Sequence, residues 1–305
     1  MKRWLAAVAL TVTCSAPALG ANIGVSVAWF DDNWLTSMRN AMQQSAQTEG
    51  HNIQFLDAQG DIGRQLSQVQ SLASQNVDAI IVNPVDTAAT MMMTRVAVDN
   101  DIPLVYVNRQ PEGDDLDQER VVFVGSDNYV AGQLQMEALV NLLGEQGSVA
   151  VMLGELSSSA THQRTRGVMD VAEQYPGINI VDRQAADYQR TEAIDLMNNW
   201  IVGGQQIDAV AANNDEMALG ALIAMRQAGI AADDIQVAGI DATRDALESM
   251  QRGELAVTVF QDARGQGSGA VEAAVRLAEG EAVDDITLVP FQLVTPDNLD
   301  RFIER

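Results

Sequence analysis

Many apolar stretches of this chain are followed directly by residues that commonly bind small ligands: carboxylates, amides, arginines and aromatic residues. The clearest case is the apolar segment 104–107, which runs directly into Asn108 and Arg109. Arginine offers a rigid, permanently charged fork of donors, and asparagine both donates and accepts hydrogen bonds. Such a pair on its own is typical of a solvated loop. The pattern recurs, however, after the other apolar stretches, at Asp31, Asp32 and Trp34, at Asn83, Arg164 and Tyr188, and at Asn214, Asp241 and Gln261.

This set of carboxylates, amides, guanidiniums and aromatic rings suits a neutral molecule rich in hydroxyl groups. Carboxylates accept hydrogen bonds from hydroxyls, arginine donates to them, and amides do both. Trp34 and Tyr188 supply ring faces for the apolar C–H face of a sugar or cyclitol. A phosphate ligand would require a glycine-rich loop opening a helix, or clustered cations. Neither a Gly-x-Gly-x-x-Gly motif nor a P-loop follows a predicted strand.

Several of these residues also have structural interpretations that the sequence leaves open. Asp32 is equally a candidate helix N-cap, and Asp215 and Thr243 are better explained as helix starts than as ligand contacts. Trp34 and Tyr188 are equally candidates for ordinary core positions. Asn83 precedes a proline, which is typical of a turn.

No catalytic arrangement is evident in the sequence. His51 lies in a Gly-His-Asn turn, and His162 follows Ser157-Ser158-Ser159 without the Gly-x-Ser-x-Gly elbow of a serine hydrolase. No His, Asp and Glu residues stand at the spacing of a metal site. Scattered carboxylates could form a glycosidase pair, so a secreted glycosidase remains an alternative. We predict a binding protein with no catalytic residue, no metal and no cofactor.

Strand-like and helix-like segments alternate from residue 22 onward. Short β-branched runs such as 79–83 are separated by longer segments with apolar residues at helical spacing, such as 33–49, 86–99 and 161–174, and the chain closes with a strand over 288–293. This alternation predicts an α/β fold with parallel sheets covered on both faces. About eleven strands exceed one ordinary sheet, so we predict two doubly wound lobes. Ligands of such folds bind beyond the carboxyl ends of the strands, where the polar residues stand.

Residues 1–20 have the pattern of a secretory signal peptide. Lys2 and Arg3 precede an apolar run, and the small residues up to Gly20 follow it. We therefore expect a periplasmic protein without stable membrane insertion. Lipid anchoring through Cys14 is disfavoured, because Thr13 stands where lipidated cysteines have Gly or Ala. The 42 acidic residues against 18 basic ones give a net charge of −24, which argues against a nucleic-acid partner.

Six segments and one glutamine carry a more specific pattern. They are Ala79-Ile-Ile-Val-Asn83-Pro84-Val-Asp86, Ile102-Pro-Leu-Val-Tyr-Val-Asn-Arg109, Val124-Gly-Ser126-Asp127-Asn128, Arg164-Thr-Arg-Gly167, Asn214-Asp-Glu-Met-Ala-Leu-Gly-Ala221, Val237-Ala-Gly239-Ile240-Asp241 and Gln261. Together they resemble the ribose-binding-protein class of periplasmic sugar-binding proteins, the soluble receptors of bacterial ABC importers. The resemblance covers essentially the whole mature chain. It implies two lobes joined by a three-stranded hinge, with 21–126 plus 262–289 in the N-terminal lobe and 127–261 plus 290–305 in the C-terminal lobe.

The resemblance also implies a function. A receptor of this class binds its ligand between the lobes, closes by hinge motion and delivers the ligand to a membrane permease; we expect a monomer. Matching positions add Leu35 and Ser126 to the site. The expected ligand-binding residues are Asp32, Trp34, Leu35, Asn83, Asn108, Arg109, Ser126, Arg164, Tyr188, Asn214, Asp241 and Gln261.

Two departures from the family pattern argue against ribose itself as the ligand. Asn108 stands where the family usually has Asp, and Leu35 stands where it usually has an aromatic residue. A cyclitol such as myo-inositol, a polyol, or another pentose or hexose is then at least as good a candidate ligand as ribose. A sensor that feeds a chemoreceptor or histidine kinase would use the same core and remains an alternative. A repressor of the lactose-repressor family would need a DNA-binding helix-turn-helix where this chain has the predicted signal peptide.

Overall fold

The computed structural model describes residues 20–303. Residues 1–19, with Cys14 and almost all of the predicted signal peptide, lie outside the described residues, as do the last two. The strands are β1 (Asn22–Val27), β2 (Asn52–Asp57), β3 (Ala79–Asn83), β4 (Leu104–Val107), β5 (Val121–Gly125), β6 (Gln146–Leu153), β7 (Gly177–Ala185), β8 (Ala209–Ala212), β9 (Gln236–Ala238), β10 (Thr258–Phe260), β11 (Ile286–Leu288) and β12 (Gln292–Val294). The α-helices are α1 (Asn33–Glu49), α2 (Ile62–Ser74), α3 (Met91–Asp99), α4 (Asn128–Leu143), α5 (Ser159–Ala172), α6 (Arg190–Val202), α7 (Asp215–Gln227), α8 (Arg244–Gln251), α9 (Ala263–Ala278) and α10 (Asp300–Ile303).

Ten of these strands form two parallel sheets and β10 and β12 form a short third one, which confirms the predicted α/β fold. The first is six-stranded and parallel, in the order β11-β5-β4-β3-β1-β2. The second has four parallel strands in the order β7-β6-β8-β9. Isolated bridges, Ala238 to Val257 and Asp241 to Phe260, extend it to β10, and β12 runs antiparallel to β10. The chain crosses between the sheets after β5, after β10 and after β11.

Helices cover both faces of each sheet, which is why the central strands are continuous apolar runs. In β3 every residue is buried. Successive side chains of β3 point to opposite faces of the sheet. Ala79 and Ile81 pack against α1 and α9 on one face, and Ile80 and Val82 pack against α2 and α3 on the other. Parallel packing of this kind leaves the loops at the carboxyl ends of the strands as the surface on which a site can form. No helix within residues 20–303 is long and apolar enough to cross a membrane.

Helix α4 is absent from the sequence prediction, and its packing explains why. Its residues are buried around most of its circumference, so no apolar stripe stands out against a polar face. Asp127 caps it, accepting a hydrogen bond from Tyr129 N at 3.1 Å. Its Gln135 donates through Nε2 to Ala212 O at 2.7 Å and to Ala238 O at 3.1 Å. The helix thereby ties the ends of β8 and β9 together beneath the site.

Two predicted elements need correction. The predicted strand over 288–293 is two strands, because Pro290 has no N–H to donate to a neighbouring strand. Before the proline, Val289 N still donates to Gly125 O of β5 at 2.7 Å. After it, β12 begins and pairs with β10. The predicted helix over 86–99 begins only at Met91. The Asp86 side chain accepts from Ala88 N at 2.8 Å, and this local turn competes with a helical start.

Candidate functional site

A cleft with about 40 Å3 of free volume lies between the two sheets, at the carboxyl ends of their strands. The residues that line it are Asp32, Trp34, Leu35, Asn108, Arg109, Ser158, Ala160, Arg164, Tyr188, Asn214, Asp241 and Gln261. The structure thus brings together ten of the twelve residues predicted from the sequence. Parallel strands explain the result, since their carboxyl ends meet at one edge of each sheet.

Asn83 and Ser126, the other two predicted residues, are not among the lining residues. Asn83 is fully buried; its Oδ1 accepts from Ala28 N at 3.3 Å and its Nδ2 donates to Val107 O at 3.3 Å. Ser126 Oγ donates to Val289 O at 2.6 Å and accepts from Gln266 Nε2 at 2.8 Å. Both side chains form their hydrogen bonds with neighbouring protein groups, so they hold the loops behind the cleft.

Arg109 is the main cation on the first-sheet side of the cleft and is only 5% exposed. Its Nη1 donates to Pro84 O at 3.3 Å and lies 2.7 Å from Glu155 Oε2, which comes from the other side of the cleft. Trp29 Nε1 also donates to Glu155, at 2.7 Å. Burial alone would lower the pKa of Arg109, but the Glu155 carboxylate and other nearby groups raise it overall. The guanidinium therefore stays charged in a nearly dry environment.

Arg164 is the matching cation on the second-sheet side, 4% exposed. Its Nε donates to Asn128 Oδ1 at 2.8 Å, its Nη1 to Asn213 O at 2.6 Å and its Nη2 to Gln261 Oε1 at 2.8 Å. Its Nη1 also lies 3.9 Å from Asp241 Oδ1. Every nitrogen of the guanidinium is fixed, so it points in one direction before any ligand arrives.

Two carboxylates complete the charged groups that line the cleft. Asp32 is the N-cap of α1: its Oδ1 accepts from Leu35 N at 2.7 Å, so the cap interpretation is correct and the residue also lines the cleft. Burial raises the pKa of Asp32, although Leu35 N–H and Arg109 oppose the shift. Burial also raises the pKa of Asp241 well above its ordinary value, with Arg164 opposing and Asp215 adding to the shift. Such buried acceptors gain most from a donor hydroxyl.

Trp34 and Tyr188 bring aromatic rings to the cleft from opposite sides, with Leu35 beside Trp34. Trp34 Nε1 donates to Gln261 O at 3.0 Å, and Tyr188 Oη shares a hydrogen bond of 2.7 Å with Thr161 Oγ1. Both polar ends are thus held, so the rings have fixed orientations. A ring pair of this kind provides apolar faces for the C–H groups of a cyclic polyol.

The backbone of three lining residues is held in an unfavourable conformation. Asn108, Tyr188 and Asp241 have φ values of 66°, 61° and 131°. A non-glycine residue with such a backbone costs about 1–3 kcal/mol and persists where the surroundings fix a particular orientation. All three sites coincide with strand ends at which a polar or aromatic side chain meets the cleft.

Of the neighbouring residues Asn214 and Asp215, the first lines the cleft and the second begins a helix. Asn214 lines the cleft and is also the N-cap of α7, since its Oδ1 accepts from Met217 N at 3.0 Å. Asp215 begins the helix and lies fully buried behind the cleft, as the helix-start interpretation predicts. Its carboxylate accepts from Thr258 Oγ1 at 2.7 Å and from Thr243 N at 2.7 Å. Burial raises the pKa of Asp215 to about 7.

Sequence reasoning missed Ser158, Ala160 and Glu155. Ser158 and Ala160 line the cleft at the start of α5, and Glu155 reaches across it to Arg109. Their sequence signal is weak, because a polar run after a strand is typical of a solvated loop. The one clue in the sequence is that this loop follows β6, whose carboxyl end faces the same edge as β8.

The arrangement can hold a ligand between two walls. The lining residues include no histidine and no cysteine. Within residues 20–303, no group of three or more His, Cys, Asp or Glu side chains could hold a metal ion. What the cleft offers is donors, acceptors and ring faces converging from two sheets.

Comparison with known proteins places this geometry in a family. A model of the periplasmic binding protein domain matches residues 23–282. A Rhizobium meliloti protein named for rhizopine binding is 47% identical, with 99% of both chains covered. The ribose import binding protein RbsB of Bacillus subtilis is 34% identical, with 90% of this chain and 87% of that protein covered.

A solved structure agrees with the sequence relatives. The crystal structure of an ABC transporter solute binding protein from Bacillus halodurans, with bound myo-inositol, matches with a TM-score of 0.89 at 43% identity and covers 95% of this chain and 99% of that chain. The family match and these identities extend over nearly all of the described residues and confirm the resemblance found in the sequence. The chain therefore belongs to the periplasmic binding protein family.

Proposed function

We propose that the protein is the solute receptor of an ABC importer and binds a neutral cyclitol or monosaccharide in the cleft. The observation that carries the proposal is the composition of the cleft. Two guanidiniums, two carboxylates and two aromatic rings converge on it from both sheets. Hydroxyl groups pair with both kinds of charged group, and a saturated ring fits between aromatic faces. The ten predicted residues that line the cleft are the proposed ligand contacts.

A cyclitol is the preferred ligand class within this proposal. Leu35 reduces the aromatic surface, and Asn108 offers a neutral amide in place of the carboxylate usual at that position. The 43% identical relative with bound myo-inositol supports the same choice over ribose. A cyclitol presents hydroxyls all around its ring, which matches a site with donors and acceptors on both walls.

The transport role implies hinge motion between two lobes. We propose residues 21–126 with 262–289 as one lobe and 127–261 with 290–305 as the other, because the chain crosses between the sheets close to these boundaries. The closed lobes would present a joint surface to a membrane permease. Periplasmic location and a monomeric state belong to the same proposal, and gel filtration with and without ligand tests the latter.

Isothermal calorimetry against myo-inositol, its epimers, xylitol and common pentoses and hexoses tests the proposal. We expect one of these ligands to bind far more tightly than millimolar, where the binding free energy is only about −4 kcal/mol. The absence of any such ligand in the panel would overturn the proposed function.

Two variants locate the site. Arg109→Ala and Asp241→Ala should each weaken binding at least about a hundredfold, since each removes a charge-assisted donor or acceptor and leaves a buried partner unpaired. Arg276→Ala is the matched control, because Arg276 pairs with Glu281 on the surface at 3.0 Å. Full affinity in both cleft variants, with circular dichroism unchanged, would move the site elsewhere.

A further inference from the structure

The loop 155–159 crosses the cleft and is tied to the opposite wall on either side of Ser158. Ser157 Oγ donates to Val85 O at 3.1 Å, and Thr87 N donates to Ser157 O at 3.0 Å. On the other side, Ser159 N donates to Thr87 Oγ1 at 2.9 Å and Ser159 Oγ donates to Gln110 O at 2.8 Å. Ser158 is therefore held in place by its two neighbours.

The Ser158 hydroxyl itself is unsatisfied. The side chain is 0% exposed, and Oγ has no hydrogen-bond partner within residues 20–303. Leaving a buried hydroxyl unpaired is unfavourable, because the group loses its water without a replacement. An alanine at this position would avoid that loss.

Ser158 also lacks the capping hydrogen bond that is usual for a serine at the start of a helix. It is the N-cap residue of α5, where a serine normally accepts from a backbone N–H of the first turn, yet its side chain makes no cap hydrogen bond. Ser158 lines the same cleft as Arg164 and Asp241. Gln261 Nε2 is a second buried polar atom without a partner among the described residues of this lining.

We propose that Ser158 is a ligand-contacting, specificity-determining residue whose hydroxyl bonds to one hydroxyl of the bound cyclitol or monosaccharide. This inference rests on the proposed function and adds a contact that the sequence pattern did not indicate. A serine hydroxyl donates and accepts, so it pairs with a ligand hydroxyl in either direction. Because loop 155–159 spans both walls, the contact forms when the lobes are closed.

The test compares the parent with Ser158→Ala by calorimetry, using myo-inositol and D-ribose, each with its monodeoxy analogues. For whichever parent compound binds, Ser158→Ala should weaken binding about tenfold, the effect of one hydrogen bond left unmade. One deoxy analogue, lacking the hydroxyl that Ser158 contacts, should bind both proteins equally. The free energy of unfolding without ligand should be unchanged or higher in Ser158→Ala, since the variant removes an unpaired buried group.

Ser159→Ala is the matched control, since within residues 20–303 its Oγ bonds only to Gln110 O on the opposite wall. It should weaken all analogues by the same factor. Equal affinities of parent and Ser158→Ala, a uniform loss across all analogues, or a destabilised ligand-free variant would overturn the inference and leave the proposed function standing. A parent protein that binds no inositol and no sugar would overturn both.

Discussion

The ion pair between Arg109 and Glu155 joins the two walls of the cleft, and its removal gives a quantitative test of closure. The pair is 2.7 Å long, with side-chain exposures of 7% and 17%, and Glu155 also accepts from Trp29 Nε1 at 2.7 Å. Glu155 follows β6 of the second sheet, whereas Arg109 and Trp29 follow strands of the first. The pair can exist only while the two walls are together.

Glu155→Gln preserves the shape of the side chain and removes its charge. The amide oxygen still accepts one hydrogen bond, so the closed form loses about one charge-assisted bond, or about 1.5–3 kcal/mol. That loss corresponds to a factor of about 10–150 in the equilibrium between closed and open forms. The apparent Kd should rise by a similar factor where closure limits affinity. Because the ligand leaves by opening, koff should carry most of the change.

Stopped-flow tryptophan fluorescence measures both rate constants, since Trp29 contacts Glu155 directly and Trp34 lines the cleft. The matched control is Glu254→Gln. Glu254 pairs with Arg252 at 2.8 Å, within the part of the chain that forms the second sheet. An unchanged koff in Glu155→Gln, or a loss of affinity carried by kon alone, would refute the closure argument.

Two further predictions concern stability. Burial raises the pKa of Asp215 from 3.8 to about 7. The folded protein therefore holds the carboxyl proton of Asp215 more tightly than the unfolded chain does. The stability that this proton contributes is lost as pH rises from about 4 to about 7. Asp215→Asn should flatten this decline by up to about 1.4 kcal/mol per pH unit in urea unfolding curves, and matching pH profiles of parent and variant would contradict the assignment. Gly132→Ala should destabilise the fold by about 1–3 kcal/mol and weaken ligand binding, because its Cβ would lie 2.0 Å from Arg164 O. Gly269→Ala, whose nearest neighbour is a Val124 side-chain carbon at 3.3 Å, is the control and should stay within about 1 kcal/mol of the parent in thermal unfolding; equal stabilities of the two variants would show that α4 can move away from α5.

Much of the site could be predicted because the ends of the strands can be recognised in the sequence. An apolar run that stops at Asn108-Arg109 or at Asp241 marks both the end of a strand and the group that follows it. In a parallel sheet that is enough to place the group at the ligand-binding edge. Asn83 satisfies the same rule and still lies behind the cleft, because its amide is already bonded to Ala28 N and Val107 O. Hydrogen-bond partners remote in sequence decide such cases.

The sequence by itself determined the α/β fold, the family and most of the polar residues that line the cleft, since alternating apolar periods and strand-end residues are local properties. Only the tertiary structure decided which side chains meet the cleft and which are already satisfied. Glu155 and Ser158 show the difference: in the sequence they belong to an ordinary polar loop, yet one pairs with Arg109 and the Oγ of the other is buried without a hydrogen-bond partner among residues 20–303. Both facts depend on contact between walls contributed by distant parts of the chain, and local pattern carries no information about that contact.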